Sequence, residues 1–145
     1  EFRCVFVHGF TPTDKYNNLG FMADSYSEDT LKAIQGFINE DGTIKYDFLK
    51  PNIIYIKRIY IEPKYRGKGI GSYSFYLLYG FLKDMAGVIT IYPYPHEKDG
   101  VTQMHESDPK YNKYLNNMTK FLKQFSFCEK GQGIWYLDTN YKLFQ

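Results

Sequence analysis

The chain has 145 residues, about one domain, enough to bury roughly two-thirds of its unfolded surface without a disulfide or a metal. Hydrophobic residues at 43% and charged residues at 23% exclude a disordered chain. A net charge of +2 excludes a protein that holds nucleic acid on clustered basic surface.

The first run, Phe2 to Phe10, is rich in Val and Phe and predicts a strand; Thr11 to Leu19 is polar and predicts a loop. Ser25 and Glu28 have capping-box spacing ahead of Leu31, Ile34, Phe37 and Ile38, which share one face of a helix. Asp41-Gly42 turns the chain, and Ile44, Tyr46 and Phe48 alternate as a short strand. Asn52 to Glu62 is the most strand-like stretch, ended by Pro63, which has no N–H to give a ladder. After Gly71 the spacing of Phe75, Leu78, Tyr79 and Leu82 predicts a helix stopped by Gly87. Val88 to Tyr92 reads as a strand buried on both faces, which makes strand, helix and strand a parallel crossover. Asp108-Pro109 opens a second long helix with an apolar stripe from Tyr111 to Phe125, and a hairpin turns around Lys130-Gly131-Gln132-Gly133. The expected architecture is α+β, a mixed and mostly antiparallel sheet with one parallel βαβ crossover.

No repeat, low-complexity tract or linker divides residues 1–145, so a single domain is expected; the opening Glu1-Phe2 without Met is what a fragment or a cloning scar would leave, with an upstream segment missing. Apolar runs fall well short of the ~18 residues of a membrane span, and no signal peptide is expected. Cys4 and Cys128 lack CxxC spacing, so no metal site is expected and a reducing, cytoplasmic location fits.

The informative segment runs from Ile59 to Ser72. Gly67, Gly69 and Gly71 alternate between a strand and a helix start, where backbone N–H groups can face an anion without a Cβ in the way. Lys57, Arg58, Lys64, Arg66 and Lys68 stand against Glu62 alone, which suits a small polyanion such as a pyrophosphate. A Walker loop is excluded because the spacing G-x-x-x-x-G-K-[ST] is absent. A dinucleotide fingerprint fails because Ser72 stands in for its third glycine, and the next strand has no acidic residue for a ribose.

With Arg66-Gly67-Lys68-Gly69-Ile70-Gly71 the chain resembles the GNAT superfamily of acetyl-CoA-dependent N-acyltransferases, whose signature is Arg or Gln, two residues, Gly, one residue, then Gly or Ala. The lead-in Arg58 to Tyr65 and the segment Val88 to Pro95 are similar as well, and the resemblance covers about residues 50 to 138. It implies splayed central strands, with backbone groups of Ile59, Tyr60 and Ile61 along the pantetheine arm of acetyl-CoA. It also implies a pyrophosphate cradle from Gly67, Lys68, Gly69, Ile70, Gly71 and Ser72, with Arg66 beside the phosphates.

Acyl transfer to an amine needs a base for the ammonium, donors for the carbonyl oxygen and, for some thiolates, an acid. Family members often carry a Tyr five residues before the Phe of a Gly-Phe pair; here that pair is Ser126-Phe127, and counting back reaches Leu122. Tyr114 is then the acid candidate, although Tyr111 and Tyr114 both sit on the apolar stripe that core packing would use. His96, after the second splayed strand, is the base candidate, with His105, Glu62 and Glu97 behind it. Tyr55, Tyr92 and Tyr94 are expected to line the acceptor cleft. The expected function is transfer of an acetyl group to a primary amine, on a small molecule or a peptide, by direct attack; the alternative is a non-catalytic acyl-CoA-binding module on the same fold. Oligomeric state leaves no mark in the sequence.

Overall fold

The computed structural model describes residues 1–7, 27–41, 45, 50, 52–97, 99–100 and 102–140. Its elements in chain order are β1 (Phe2–Val7), α1 (Glu28–Ile34), β2 (Ile53–Ile59), α2 (Ile70–Leu82), β3 (Val88–Ile91), α3 (Tyr111–Gln124), β4 (Cys128–Gly131) and β5 (Ile134–Asp138). They form a five-stranded sheet in the order β1-β2-β3-β5-β4. The pair β2–β3 is parallel, joined by α2, and the other three pairs are antiparallel. The fold is therefore α+β with one parallel crossover. The end of the first predicted strand, the loop after it, Ser25 and the predicted strand at Ile44, Tyr46 and Phe48 lie outside the described residues.

Hydrophobic residues fill both faces of the sheet. On one face Ile54, Ile56, Ile89, Ile91 and Leu137 pack with Phe75, Tyr79 and Leu82 of α2 and Leu122 of α3. On the other, Ile53, Tyr55 and Val88 pack beneath Ala33 and Ile34 of α1. β3 is buried at all four positions, as a strand covered on both sides must be. Buried Thr90 fastens α1 to the sheet by placing its hydroxyl 3.0 Å from the Ala33 carbonyl and 3.1 Å from that of Trp135.

Three element ends differ from expectation. The α1 cap is Ser27, whose Oγ accepts the Thr30 N–H at 3.1 Å, while Glu28 is the first helical residue and pairs with Lys32 at 2.7 Å. Helix α2 ends at Leu82 with Lys83 as its cap; Gly87 lies beyond and donates to the Asn52 carbonyl, which starts β3 beside β2. Helix α3 begins at Tyr111, because the Asp108 carboxylate takes the Lys110 N–H at 2.7 Å and holds a turn ahead of the helix.

The β1–β2 register positions the site. Cys4 pairs with Ile56 and Arg3 with Arg58, so Lys57 is an extra residue on β2, a β-bulge. One extra residue reverses which way later side chains point. Before the bulge Ile54 and Ile56 face α2 and α3; after it Ile59 and Ile61 do, with Ile59 against that core and the Ile61 side chain beside Gly71. Arg58 and Tyr60 consequently project to the other face.

Candidate functional site

The parallel pairing of β2 with β3 covers four residue pairs and stops at Ile56↔Ile91. On β2 the bulge follows immediately; on the β3 side the chain continues as Tyr92-Pro93-Tyr94-Pro95, where neither proline has an N–H to extend the ladder. The two segments leave a cleft of about 460 Å³ between them, with α3 along one side.

Tyr60 exchanges two backbone hydrogen bonds with Glu1, at 2.9 and 2.7 Å, so its main chain is committed to β1. By alternation along the chain the N–H and C=O groups of Ile59 and the N–H of Ile61 point to the opposite edge, into the cleft, while the Ile61 carbonyl accepts from Arg66. Of the three residues expected to offer backbone groups there, Tyr60 lines the cleft but has its N–H and C=O bonded to Glu1.

The glycine loop forms the mouth of the cleft. Gly67 and Gly69 have φ of 72° and 75°, and Gly69 is the N-cap of α2. This left-handed backbone favours glycine, and nothing lies within 4 Å of a Cβ built at either position. The first intrahelical bond of α2 is Tyr73 N–H to Gly69 C=O, which leaves the N–H groups of Ile70, Gly71 and Ser72 at the open helix end. Arg66 ties the loop down: its Nε donates to the Ile61 carbonyl at 2.8 Å and its guanidinium lies 5.6 Å from the Tyr60 ring centre. Glu62 is paired with Lys64 at 3.0 Å on the exposed 3-10 turn Pro63–Tyr65. The cleft lining includes Arg66, Gly67 and Gly69 to Ser72, but not Lys68, which is exposed beside it.

His96 and Tyr114 both line this cleft and are half-buried. A β-bridge from His96 to Gln103 fixes the histidine, and Met104 N–H donates to the Pro95 carbonyl at 2.9 Å. Burial lowers the His96 pKa from its usual 6.5, and the Arg58 charge lowers it further, so the neutral imidazole dominates at neutrality. Leu122, 1% exposed, closes the cleft floor.

The remaining candidates lie elsewhere. His105 is exposed and its Nδ1 sits 2.7 Å from the Ser107 hydroxyl. Tyr55, 1% exposed, is a core residue beneath α1 rather than a cleft wall, and burial pushes its phenol pKa up. Tyr92 and Tyr111 line a second hollow with Trp135, Lys123 and Glu129; Tyr94 borders both spaces. Two residues with a part in the site drew no attention in the sequence. In the sequence Arg58 is one of a run of charges and the start of the lead-in, with no sign that it bears on His96, and Gly100, with φ of 66°, has the Tyr60 ring where a side chain would otherwise stand. Among the described residues, no group of three or more His, Cys, Asp or Glu could hold a metal, and no helix is long and apolar enough to cross a membrane.

No curated protein and no solved structure matches the chain. The model of the Acetyltransferase (GNAT) family matches residues 10–98, which takes in β2, the glycine loop, α2 and β3. That match spans more than half of the 145 residues and contains the cradle, the bulge and the point where the strands part, so the chain belongs to the GNAT acetyltransferase family.

Proposed function

We propose that this single domain is an N-acetyltransferase that binds acetyl-CoA in the cleft between β2 and β3 and passes its acetyl group to a primary amine of a small molecule or peptide in the cytoplasm. One observation carries the reading: the cleft-facing edge of Ile59 and Ile61 runs directly into a left-handed glycine turn at a helix N-terminus. An extended amide-bearing arm can pair with such an edge while its phosphates meet the N–H groups of Ile70 to Ser72. The residues present fit the cofactor, since the space a Cβ would fill at Gly67 and Gly69 is open and Arg66 and Lys68 supply positive charge.

When bound, the cofactor supplies an activated acyl thioester. The chain's own part is to orient, to desolvate and to move protons. Half-buried His96, neutral near pH 7, suits removal of a proton from the acceptor ammonium. Tyr114 on the α3 wall lines the same cleft, and its hydroxyl suits return of a proton to the departing thiolate. Substituting His96→Gln should remove the acidic limb of the kcat/KM profile, a limb expected below pH 6.5 because the histidine's pKa is lowered. Rates measured between about pH 5 and 8 check this, and a limb surviving unchanged would clear His96 of the role. The same lowering makes stability fall as pH drops below 6.5, where the unfolded chain binds the proton that the folded one resists.

A second reading, an acyl-CoA-binding module without turnover, draws on Leu122, which is buried on the cleft floor and has no hydroxyl. A thermal-shift titration with acetyl-CoA followed by thiol release against an amine panel decides. Stabilisation with turnover supports the enzyme, stabilisation alone the module, and neither defeats both.

A further inference from the structure

Arg58 has a buried Nε with no hydrogen-bond partner, and it is the only such side-chain nitrogen or oxygen among the described residues. Buried donors are nearly always satisfied, and a charged one without a partner needs a reason. The bulge at Lys57 turns Arg58 away from the core packed under α2 and α3, to the face it shares with Tyr60. There its guanidinium lies 5.1 Å from the Tyr60 ring centre, while Arg66 approaches the same ring at 5.6 Å. The ring is held in turn against Gly100. No acidic residue among those described forms an ion pair with Arg58 or Arg66. Arg58 is thus a fixed, partly desolvated cation, and its charge is felt at His96.

We infer that Arg58 is the anchor for a carboxylate on the acceptor, so that the preferred acceptor is an amine that also carries a carboxylate, bound from the face opposite the glycine loop. The Nε and an Nη of a guanidinium form a side-on fork that matches the two oxygens of a carboxylate, and the orphaned Nε is the inner tine of that fork. Phosphates are served on the other face by the glycine loop, and Arg58 is not part of the cleft lining there. An acceptor held by Arg58 would present its amine toward His96, whose pKa is lowered chiefly by burial and further by the Arg58 charge. The inference rests on the acetyltransferase reading but concerns a different ligand.

The test uses acceptor pairs that differ only in the carboxylate: alanine with ethylamine, phenylalanine with phenethylamine, lysine with cadaverine. The wild type should favour the carboxylate-bearing member of at least one pair. Measured at about pH 8, where His96 is neutral with or without Arg58, Arg58→Gln should raise KM for that member on the order of 30-fold, leave its kcat and the acetyl-CoA affinity within about twofold, and barely affect the bare amine. Arg58→Lys, which keeps the charge and loses the fork, should recover only part of the loss and guards against a folding defect in the first variant. Equal loss for both members, or no preference in the wild type, would overturn the inference while leaving the acetyltransferase intact. Failure of acetyl-CoA itself to bind would instead strike the function. In that event the Arg58 Nε–H resonance, followed by NMR against the same amino acids, still decides: a shift with the amino acid and none with its amine supports the anchor, and no shift refutes it.

Discussion

Gly69→Asp is expected to weaken acetyl-CoA binding at least about tenfold, by two mechanisms that act at one atom. The backbone at this position has φ of 75°, where a side chain is strained by roughly 1–2 kcal/mol. The new carboxylate also stands at the N-terminus of α2, where it would repel a phosphate by about 1 kcal/mol in full water and about 4 kcal/mol where water is partly excluded. A factor of ten needs only about 1.4 kcal/mol. Gly71→Ala is the matched control. Gly71 lies within the helix, and its Cβ would meet Ile61 Cγ1 at 3.4 Å, ordinary contact, so affinity should stay within about twofold. The contrast gives a physical account of a motif that demands glycine at the first of these positions and accepts alanine at the second. Calorimetry on both variants settles it: equal affinities would mean that the turn does not hold the phosphates.

Phe75→Ala should be the most damaging single core substitution at the site. Phe75 is fully buried, with its ring centre 4.6 Å from that of Phe125, 5.8 Å from Phe127, 5.9 Å from Phe121 and 6.3 Å from Phe2. It belongs to α2, two of those neighbours lie on or just after α3, and so one ring holds both helices that flank the cleft. Emptying such a position costs about 3–5 kcal/mol, against a total stability on the order of 5–15 kcal/mol for a domain. The melting temperature should therefore fall by on the order of 10 °C. A shift of less than about 3 °C would show that the aromatic cluster is not what sets the helix spacing. Phe75→Leu, which keeps most of the volume, should lose less than half as much.

The parts legible in the sequence were those written as a repeat. The spacing of Phe75, Tyr79 and Leu82 announces α2, the nearly all-apolar run from Val88 announces a strand covered on both faces, and the two form the parallel crossover seen in the sheet. The turn of the last hairpin was also visible in Gly131 and Gly133; the two-residue turn puts Gly133 at φ of 76°, which glycine favours, and Gln132 at φ of 53°, which it does not. Ends were less legible. Ser25 and Ser27 offer the same hydroxyl to a helix start, and only the bond from Thr30 picks the second. The GNAT match covers residues 10–98 where the resemblance covered about residues 50 to 138, and the loop motif lies in the overlap of the two. Tyr60 shows the remaining difficulty: its backbone direction depends on Glu1, 59 positions away, which no local pattern records. Arg58 is the same case, because the lack of a partner is a property of its surroundings. The phase break from Ile54 and Ile56 to Ile59 and Ile61 did stand in the sequence, and it marks where β2 changes which side chains it offers to each face.

That extra residue makes the length of this strand matter more than the identity of most of its members. Deleting Lys57 would only flatten the bulge and keep Arg58 and Ile59 on their present faces, but adding or losing one residue between Arg58 and Ile61 would swap oily and charged side chains over the rest of the segment and turn Ile61 away from Gly71. No compensating substitution at a single site could undo such an exchange. Among relatives, insertions and deletions should accordingly cluster in the connections and spare the stretch from Ile53 to Ile61, even where its residues have drifted.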